Sequence, residues 1–230
     1  MPEKININKD FIDNLVVFVK NKDHRKLQKS LLNIHHADIA EIITNLSDFE
    51  SQFLYENLHD EIAALVLKEV EDEKRKTLLS KLSAKKIAVD VIDNLESDDA
   101  VDVILDLSEK KKEEVLSHIE NEDYANDLSD LLKYEENTAG SMMATELIKV
   151  NENWNTLECL KKMRKQAEYV KKVHTIYVVN NNNKLLGTMS LKRLLISNKD
   201  TKVRNIVNSD VYYVKTDTST EEIANLMNKY

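Results

Sequence analysis

Between residues 46 and 119 an apolar residue closes each of a run of short polar-flanked segments. Leu46, Leu58, Val70, Leu82, Leu95, Leu107 and Ile119 follow one another at spacings of 12, 12, 12, 13, 12 and 12. Most are followed by a polar pair that reads as one helix stopping and the next starting: Ser47-Asp48, His59-Asp60, Glu71-Asp72, Glu96-Ser97, Ser108-Glu109 and Glu120-Asn121. Inside the segments apolar residues recur three and four apart, as in Ile39, Ile42, Ile43 and Leu46, or Val101, Ile104 and Leu105 before the stop at Ser108. That period gives each helix one inward face. Helices of about eight or nine residues do not hold alone in water, so the spacing predicts a stacked superhelix with a shared core. Ser47 and Glu50 have the spacing of a capping box. Ahead of the repeat, Asp10 to Leu32 reads as one or two further helices with Phe11, Leu15, Phe18 and Val19 facing in. On this pattern alone the first half could equally be a helical scaffold with no ligand.

After Tyr134 the period changes. Leu147–Val150, Thr175–Val179 and Leu185–Met189 are short, partly β-branched runs that predict strands, whereas Thr156–Lys171 and Leu191–Asn198 predict helices. Asn180–Asn183 predicts a hairpin turn, because asparagine accepts left-handed backbone at little cost. Gly187, inside a strand, marks a bulge or a close backbone approach. The order strand, helix, strand, strand, helix then begins a second time: Val211–Val214 as strand, Asp217 or Thr218 as cap, Glu221–Tyr230 as helix. Two strands and a helix of that second copy are not in this sequence, so it is expected to be truncated or completed by another chain.

Composition narrows the class. With two glycines and one proline in 230 residues, the chain suits helices and leaves little for a turn-rich β fold. Cys159 is the only cysteine, which excludes an intrachain disulfide and a cysteine-based zinc site and points to a buried thiol. The longest uninterrupted apolar candidate, Leu15–Val19, is far short of a membrane span, and the N-terminal MPEKININKD lacks the basic and apolar regions of a secretory signal. Exposure to the cytoplasm is the expectation. The net charge of −8 argues against nucleic acid as a partner. Its distribution is uneven: Glu96–Glu136 holds fifteen acids and four lysines, or −11, while Asn137–Tyr230 holds nine acids and fifteen bases, or +6. An acidic block beside a basic domain can draw cations to itself. No Ser-His-Asp grouping, phosphate-binding glycine loop or framed pair of catalytic acids is present, and the chain reads as a non-enzyme.

Three stretches carry a resemblance. His35-His36-Ala37-Asp38-Ile39-Ala40-Glu41-Ile42-Ile43 resembles a helix-opening HPADIAELL pattern. Tyr134-Glu135-Glu136-Asn137-Thr138-Ala139-Gly140-Ser141-Met142-Met143 resembles a YPEDTAGxLM connector. Tyr213-Val214-Lys215-Thr216-Asp217-Thr218 and the helix after it resemble a second cystathionine-β-synthase (CBS) motif. Their order and the helical repeat are similar to the cytosolic part of the MgtE family of magnesium transporters. The resemblance implies an all-α N-terminal superhelix over residues 1–133, a connector and complete first CBS motif over 134–200, and an incomplete second CBS motif over 201–230, hence a multidomain α and α+β chain. It implies a homodimer through the CBS domains, attached beyond this chain to its own transmembrane domain at the cytoplasmic face of the cell membrane. It also implies that Mg²⁺, bound by acidic residues between helical and CBS domains, holds a pore closed.

On that resemblance Asp98 and Asp102, four apart and so on one helix face, are candidate Mg²⁺ ligands, as is Glu221 at the start of the last helix. The plainer account of Asp98 and Asp99 is that they favour the positive end of a helix, with Asp102 solvated. Val66 stands where the family often has a glutamate, removing one ligand. Arg193 stands where nucleotide-binding relatives hold ribose with an aspartate, and arginine has no acceptor to offer. The alternative function, an adenine-nucleotide-binding CBS module whose helical domain docks a protein, is weakened by it. Lys161, Lys162, Arg164 and Lys165 could meet phosphates or form a solvated basic face. The six histidines are scattered and predict no site. Trp154 and Met142, Met143, Met163, Met189 and Met227 are expected in cores and helix interfaces.

Overall fold

Short capped helices fill the first half of the chain, as the twelve-residue spacing predicts. The computed structural model describes residues 7–168, 170–173 and 175–230, and the chain divides into two units, Met1–Lys133 and Tyr134–Tyr230. The first contains α1 (Lys9–Lys20), α2 (His24–Leu31), α3 (His36–Asn45), α4 (Asp48–Tyr55), α5 (Asp60–Glu69), α6 (Asp72–Lys81), α7 (Ala84–Lys86), α8 (Ser97–Leu105), α9 (Glu109–Leu116) and α10 (Glu122–Leu131).

The residues that close the repeat do so by leaving the helix. Leu46, Val70 and Leu82 are C-cap residues in extended conformation, and their side chains are buried, so the chain turns with an apolar anchor in the core. Polar side chains start the next helix: Asn8, Asp23, Ser83 and Asn121 each accept a backbone N–H of the first turn. At Ser47 both halves of the capping box form: Ser47 Oγ accepts from the Glu50 N–H, and Glu50 Oε2 accepts from the Ser47 N–H at 3.2 Å. Alternate helices pack on one another, α3 on α5, α4 on α6, α7 on α9 and α8 on α10, which is the arrangement of a superhelix. Long side chains reach back across this stack to cap carbonyls at helix ends: Lys74 Nζ donates to Leu46 O at 2.7 Å and Lys111 Nζ to Leu79 O at 2.8 Å.

One repeat differs, and it is the one with thirteen residues. Between Leu82 and Leu95, α7 runs into a π-helical turn at Ile87–Val91 and a 3-10 turn at Ile92–Asn94. The Ile92 N–H reaches the carbonyls of Ala88 and Ile87, so a wider turn absorbs the extra residue and both Ile87 and Ile92 stay buried.

The second unit holds a three-stranded sheet in the order β1 (Ile148–Asn151), β2 (Ile176–Val179), β3 (Leu185–Met189), with β1 and β2 parallel and β2 and β3 antiparallel. The parallel pair is joined through α11 (Thr156–Gln166), and β3 leads into α12 (Leu191–Ile196). Ile148, Val150, Ile176, Val178 and Met189 from the sheet meet Cys159 and Met163 of α11, Leu194 of α12, and Val203 and Ile206. Cys159 is buried as expected, 3.8 Å from the Met163 sulfur, and burial pushes its thiol up to about 11. The hairpin closes with Asn183 in the left-handed region (φ 58°), while the Asn180 side chain accepts the N–H groups of Asn182 and Lys184. Gly187 lies opposite Val178 beside a register shift, and a Cβ there would stand 2.2 Å from the Asn208 carbonyl oxygen. Both readings of that glycine therefore hold.

Three expectations are corrected. Residues 211–214 form no strand: the Val211 N–H turns back to Ser209 O at 3.1 Å rather than joining a ladder, and Tyr213 is 77% exposed. The helix after them, α13 (Thr220–Lys229), is capped by Ser219 rather than by Asp217 or Thr218, because Ser219 Oγ is the group that accepts the Glu222 N–H. Among the methionines, Met163 and Met189 are buried, but Met142, in the connector, and Met227 are exposed, the latter because α13 has no buried residue.

Candidate acidic site on α8

α8 turns Ala100, Val101, Val103 and Ile104 into the core, which leaves its acids on the other side. Asp98 and Asp102 are one helical turn apart on this side, as the spacing predicts. Two neighbouring acids join them. Asp99 Oδ2 accepts from Lys68 Nζ of α5 at 2.7 Å, and Asp106, the C-cap of α8, accepts from Arg75 Nε of α6 at 2.5 Å with Lys76 Nζ at 3.9 Å. Arg75 also holds Asp72 at 3.0 Å. The flanks of the acidic face are thus neutralised by cations from two earlier helices.

The middle is not. Asp98 Oδ1 is a buried oxygen with no hydrogen-bond partner among the described residues. Asp102 is exposed, and its carboxyl is held above the ordinary carboxylate range first by the protein it packs beside, against the pull of Arg75, with Asp99, Asp98 and Asp106 adding repulsion. Asp98 and Asp99 also help hold the Lys68 ammonium charged. Two carboxylates short of counter-charge, one with an unsatisfied oxygen, suit a hydrated Mg²⁺, which keeps several waters and binds through one or two carboxylates. No group of three or more His, Cys, Asp or Glu able to hold a metal occurs among the described residues.

Glu221 belongs to the other unit, exposed in the first turn of α13. What holds that helix start is the connector motif. The amides of Ala139 and Gly140 donate to the carbonyls of Thr218 and Thr216, each at 2.8 Å, and the Thr220 amide donates to Asn137 O at 3.0 Å. Asn137 adopts left-handed backbone (φ 62°) to make this pairing. The sequence singled out the connector but not its partner, since nothing in residues 216–220 announces which backbone they bind.

The other candidates resolve individually. Val66 is fully buried in α5. Arg193 has its amide on Ser190 Oγ and its side chain exposed. Lys162 lies over the Trp154 ring at 5.7 Å, and Lys161, Arg164 and Lys165 are exposed. His35 Nδ1 accepts the Ala37 N–H as the cap of α3, and its ring lies 4.1 Å from that of His36. His24 Nδ1 and Asn57 Oδ1 are 2.6 Å apart, His59 and His118 are at the surface, and His174 lies outside the described residues.

Comparison with known proteins bears on this arrangement. Residues 34–137 match the family described as the MgtE intracellular N domain, and residues 139–198 match the CBS domain family. The magnesium transporter MgtE of Thermus thermophilus is 39% identical over 100 residues, 44% of this chain and 22% of its own length. That of Bacillus subtilis is 24% identical over 206 residues, 84% of this chain and 45% of its own length. The chain thus spans less than half of either relative. A solved structure of the cytosolic domain of the Mg²⁺ channel MgtE in complex with ATP superposes with a TM-score of 0.84 at 27% identity, covering 95% of this chain and 89% of that one. The soluble part of a magnesium transporter gives 0.76 at 25% identity, over 96% and 87%. No helix among the described residues is long and apolar enough to cross a membrane.

Proposed function

Since residues 34–137 belong to the MgtE intracellular N domain family and residues 139–198 to the CBS domain family, we propose that this chain is the magnesium-sensing regulatory region of a magnesium transporter. It acts at the cytoplasmic face of the membrane and gates a pore that lies outside these 230 residues. Asp98 and Asp102, with Glu221 of the second unit, are the ligands we assign. The observation that carries this reading is the buried, unpartnered Asp98 oxygen one helical turn from the exposed Asp102 on one face of α8. At low magnesium these groups repel one another. At high magnesium a hydrated cation bridges them, which biases the units toward a closed arrangement. The exposed apolar residues of the second CBS motif support a homodimer through the CBS domains, where a partner chain covers them.

Small-angle scattering and limited proteolysis at low and millimolar magnesium, at matched ionic strength, test the reading. Compaction and protection by magnesium, lost in Asp98→Asn/Asp102→Asn, are expected; equal responses in both chains would overturn the assignment of these ligands.

A second reading, an adenine-nucleotide-binding CBS module, draws support from the ATP complex of the similar cytosolic domain. Arg193, a donor-only side chain, opposes it. Direct titration with ATP and AMP separates the two, since the magnesium reading requires no nucleotide for closure.

A further inference from the structure

A second polar site is built inside the helical unit, away from the acids of α8. At the end of α4, Tyr55 is buried to 3% exposure, and its hydroxyl has no hydrogen-bond partner among the described residues. An unpaired buried hydroxyl costs free energy unless something outside the chain satisfies it. It lines a cavity of about 30 Å³ together with Asp60 in the first turn of α5 and Lys86 and Asp90 of the α7 segment. By the measure that a single water needs roughly 10–15 Å³ of such space, the cavity takes about two water-sized groups. Asp90 sits in the π-helical turn of the thirteen-residue repeat, a kind of irregular backbone frequently found at functional sites.

The charge around the cavity is unbalanced. Glu56, Asp60 and Asp90 supply three carboxylates against the single ammonium of Lys86, which stands 3.9 Å from Asp90. Glu56 accepts at 2.7 Å from Gln52 Nε2, a neutral donor, so with Lys86 beside Asp90 the lining still carries a net −2, with Glu56 and Asp60 on its exposed side. The same crowding shows in two ionisations: burial and then Asp60 raise the Asp90 carboxyl, and burial, Asp90 and Asp60 raise the Tyr55 phenol.

We propose that Tyr55, Asp60 and Asp90 form a binding site for a small divalent cation, with the two carboxylates facing the ion and the Tyr55 hydroxyl holding one of its waters. Counting Lys86 and all three carboxylates, the lining carries −2, which a divalent ion balances and a monovalent ion leaves at −1, while water satisfies the phenol and leaves the charge as it is. The site ties the end of α4 and the start of α5 to the π turn, so its occupancy stabilises the helical unit itself and is independent of closure between the two units.

The test uses the full chain carrying Asp98→Asn/Asp102→Asn, so that the α8 face contributes nothing. Thermal unfolding is followed with Mg²⁺ against K⁺ at matched ionic strength. Mg²⁺ at a hundred-fold excess over Kd is expected to raise Tm by roughly 5–10 °C beyond the K⁺ control. Adding Asp60→Asn/Asp90→Asn is expected to abolish the rise while leaving the metal-free protein at least as stable, because two poorly compensated carboxylates are removed. Tyr55→Phe is expected to reduce the rise, and tyrosine-sensitised Tb³⁺ luminescence should fall in parallel. The proposal is overturned by no Mg²⁺-specific rise in the parent chain, by an equal rise with K⁺, or by a rise that survives Asp60→Asn/Asp90→Asn.

Discussion

Tyr134 occupies the space in front of Gly140: a Cβ on Gly140 would lie 2.3 Å from Tyr134 Cδ1 and 2.5 Å from Cγ. The glycine lets the ring close over the connector while the Gly140 amide still reaches Thr216 O. The two residues open and close the motif that pins the start of α13.

Gly140→Ala is therefore expected to displace the ring or break the pairing, costing roughly 1–3 kcal/mol in the second unit. Hydrogen exchange at the Ala139, Gly140 and Thr220 amides should quicken by at least tenfold, with α8–α10 unchanged. Unaltered protection at those three amides would remove the proposed role of the connector.

Ser47 and Glu50 give a second expectation. The Glu50 carboxyl is held below the usual range, first by the Ser47 hydroxyl and against some desolvation, with the Ser47 amide adding to the effect. A lowered carboxyl contributes stability above its unfolded pKa that is lost as pH falls through the folded value. Ser47→Ala should cost about 1 kcal/mol at neutral pH in urea unfolding, and the difference from the parent should shrink on acidification below about pH 4.

Arg75 joins α6 to α8 through Asp106 and to its own first turn through Asp72. Arg75 and Asp106 are both largely sheltered, so removing the guanidinium leaves the Asp106 carboxylate with only the longer contact to Lys76 at 3.9 Å. Arg75→Ala should destabilise the helical unit by roughly 2–4 kcal/mol, and Arg75→Ala/Asp106→Asn should recover a good part of that loss. A double-mutant cycle with no coupling would contradict the pairing.

Asp102 reverses the sign. Its folded pKa is raised, mainly by desolvation, so the native state binds its proton more tightly than the unfolded chain does. The ionised form costs stability at neutral pH, and that cost is relieved as pH falls toward the raised value. Asp102→Asn should leave the protein more stable in metal-free buffer at pH 7, with the gain vanishing near pH 4. With millimolar magnesium the gain should narrow, because the bound cation offsets the charge in the parent. Thermal melts across pH 4–7, with and without magnesium, measure both effects.

Much of this was legible in the residue pattern. Apolar positions three and four apart became the buried faces of α3 and α8, except that Leu105, read as inward, is 40% exposed; Ser47-Glu50 became a capping box, and Gly187 marked the approach of Asn208. These features rest on near neighbours or on a periodicity that burial must follow. The interval of thirteen was also visible, although only the coordinates show it spent on a π turn.

What the sequence determined by itself was the repeat, the order of strands and helices from β1 to α12, and the placing of Asp98 and Asp102 on one helix face, because the periodicity of neighbouring residues suffices for each. Tertiary structure decided which charges are satisfied. Lys68 meets Asp99 and Arg75 meets Asp106 across thirty-one residues, while the Asp98 oxygen and the Tyr55 hydroxyl find no hydrogen-bond partner among the described residues. It also decided that residues 211–214 form no strand and that the connector binds residues 216–220. Partnership between distant groups depends on the packing that carries them together, and a carboxylate reads the same in the sequence whether an ammonium waits beside it or not.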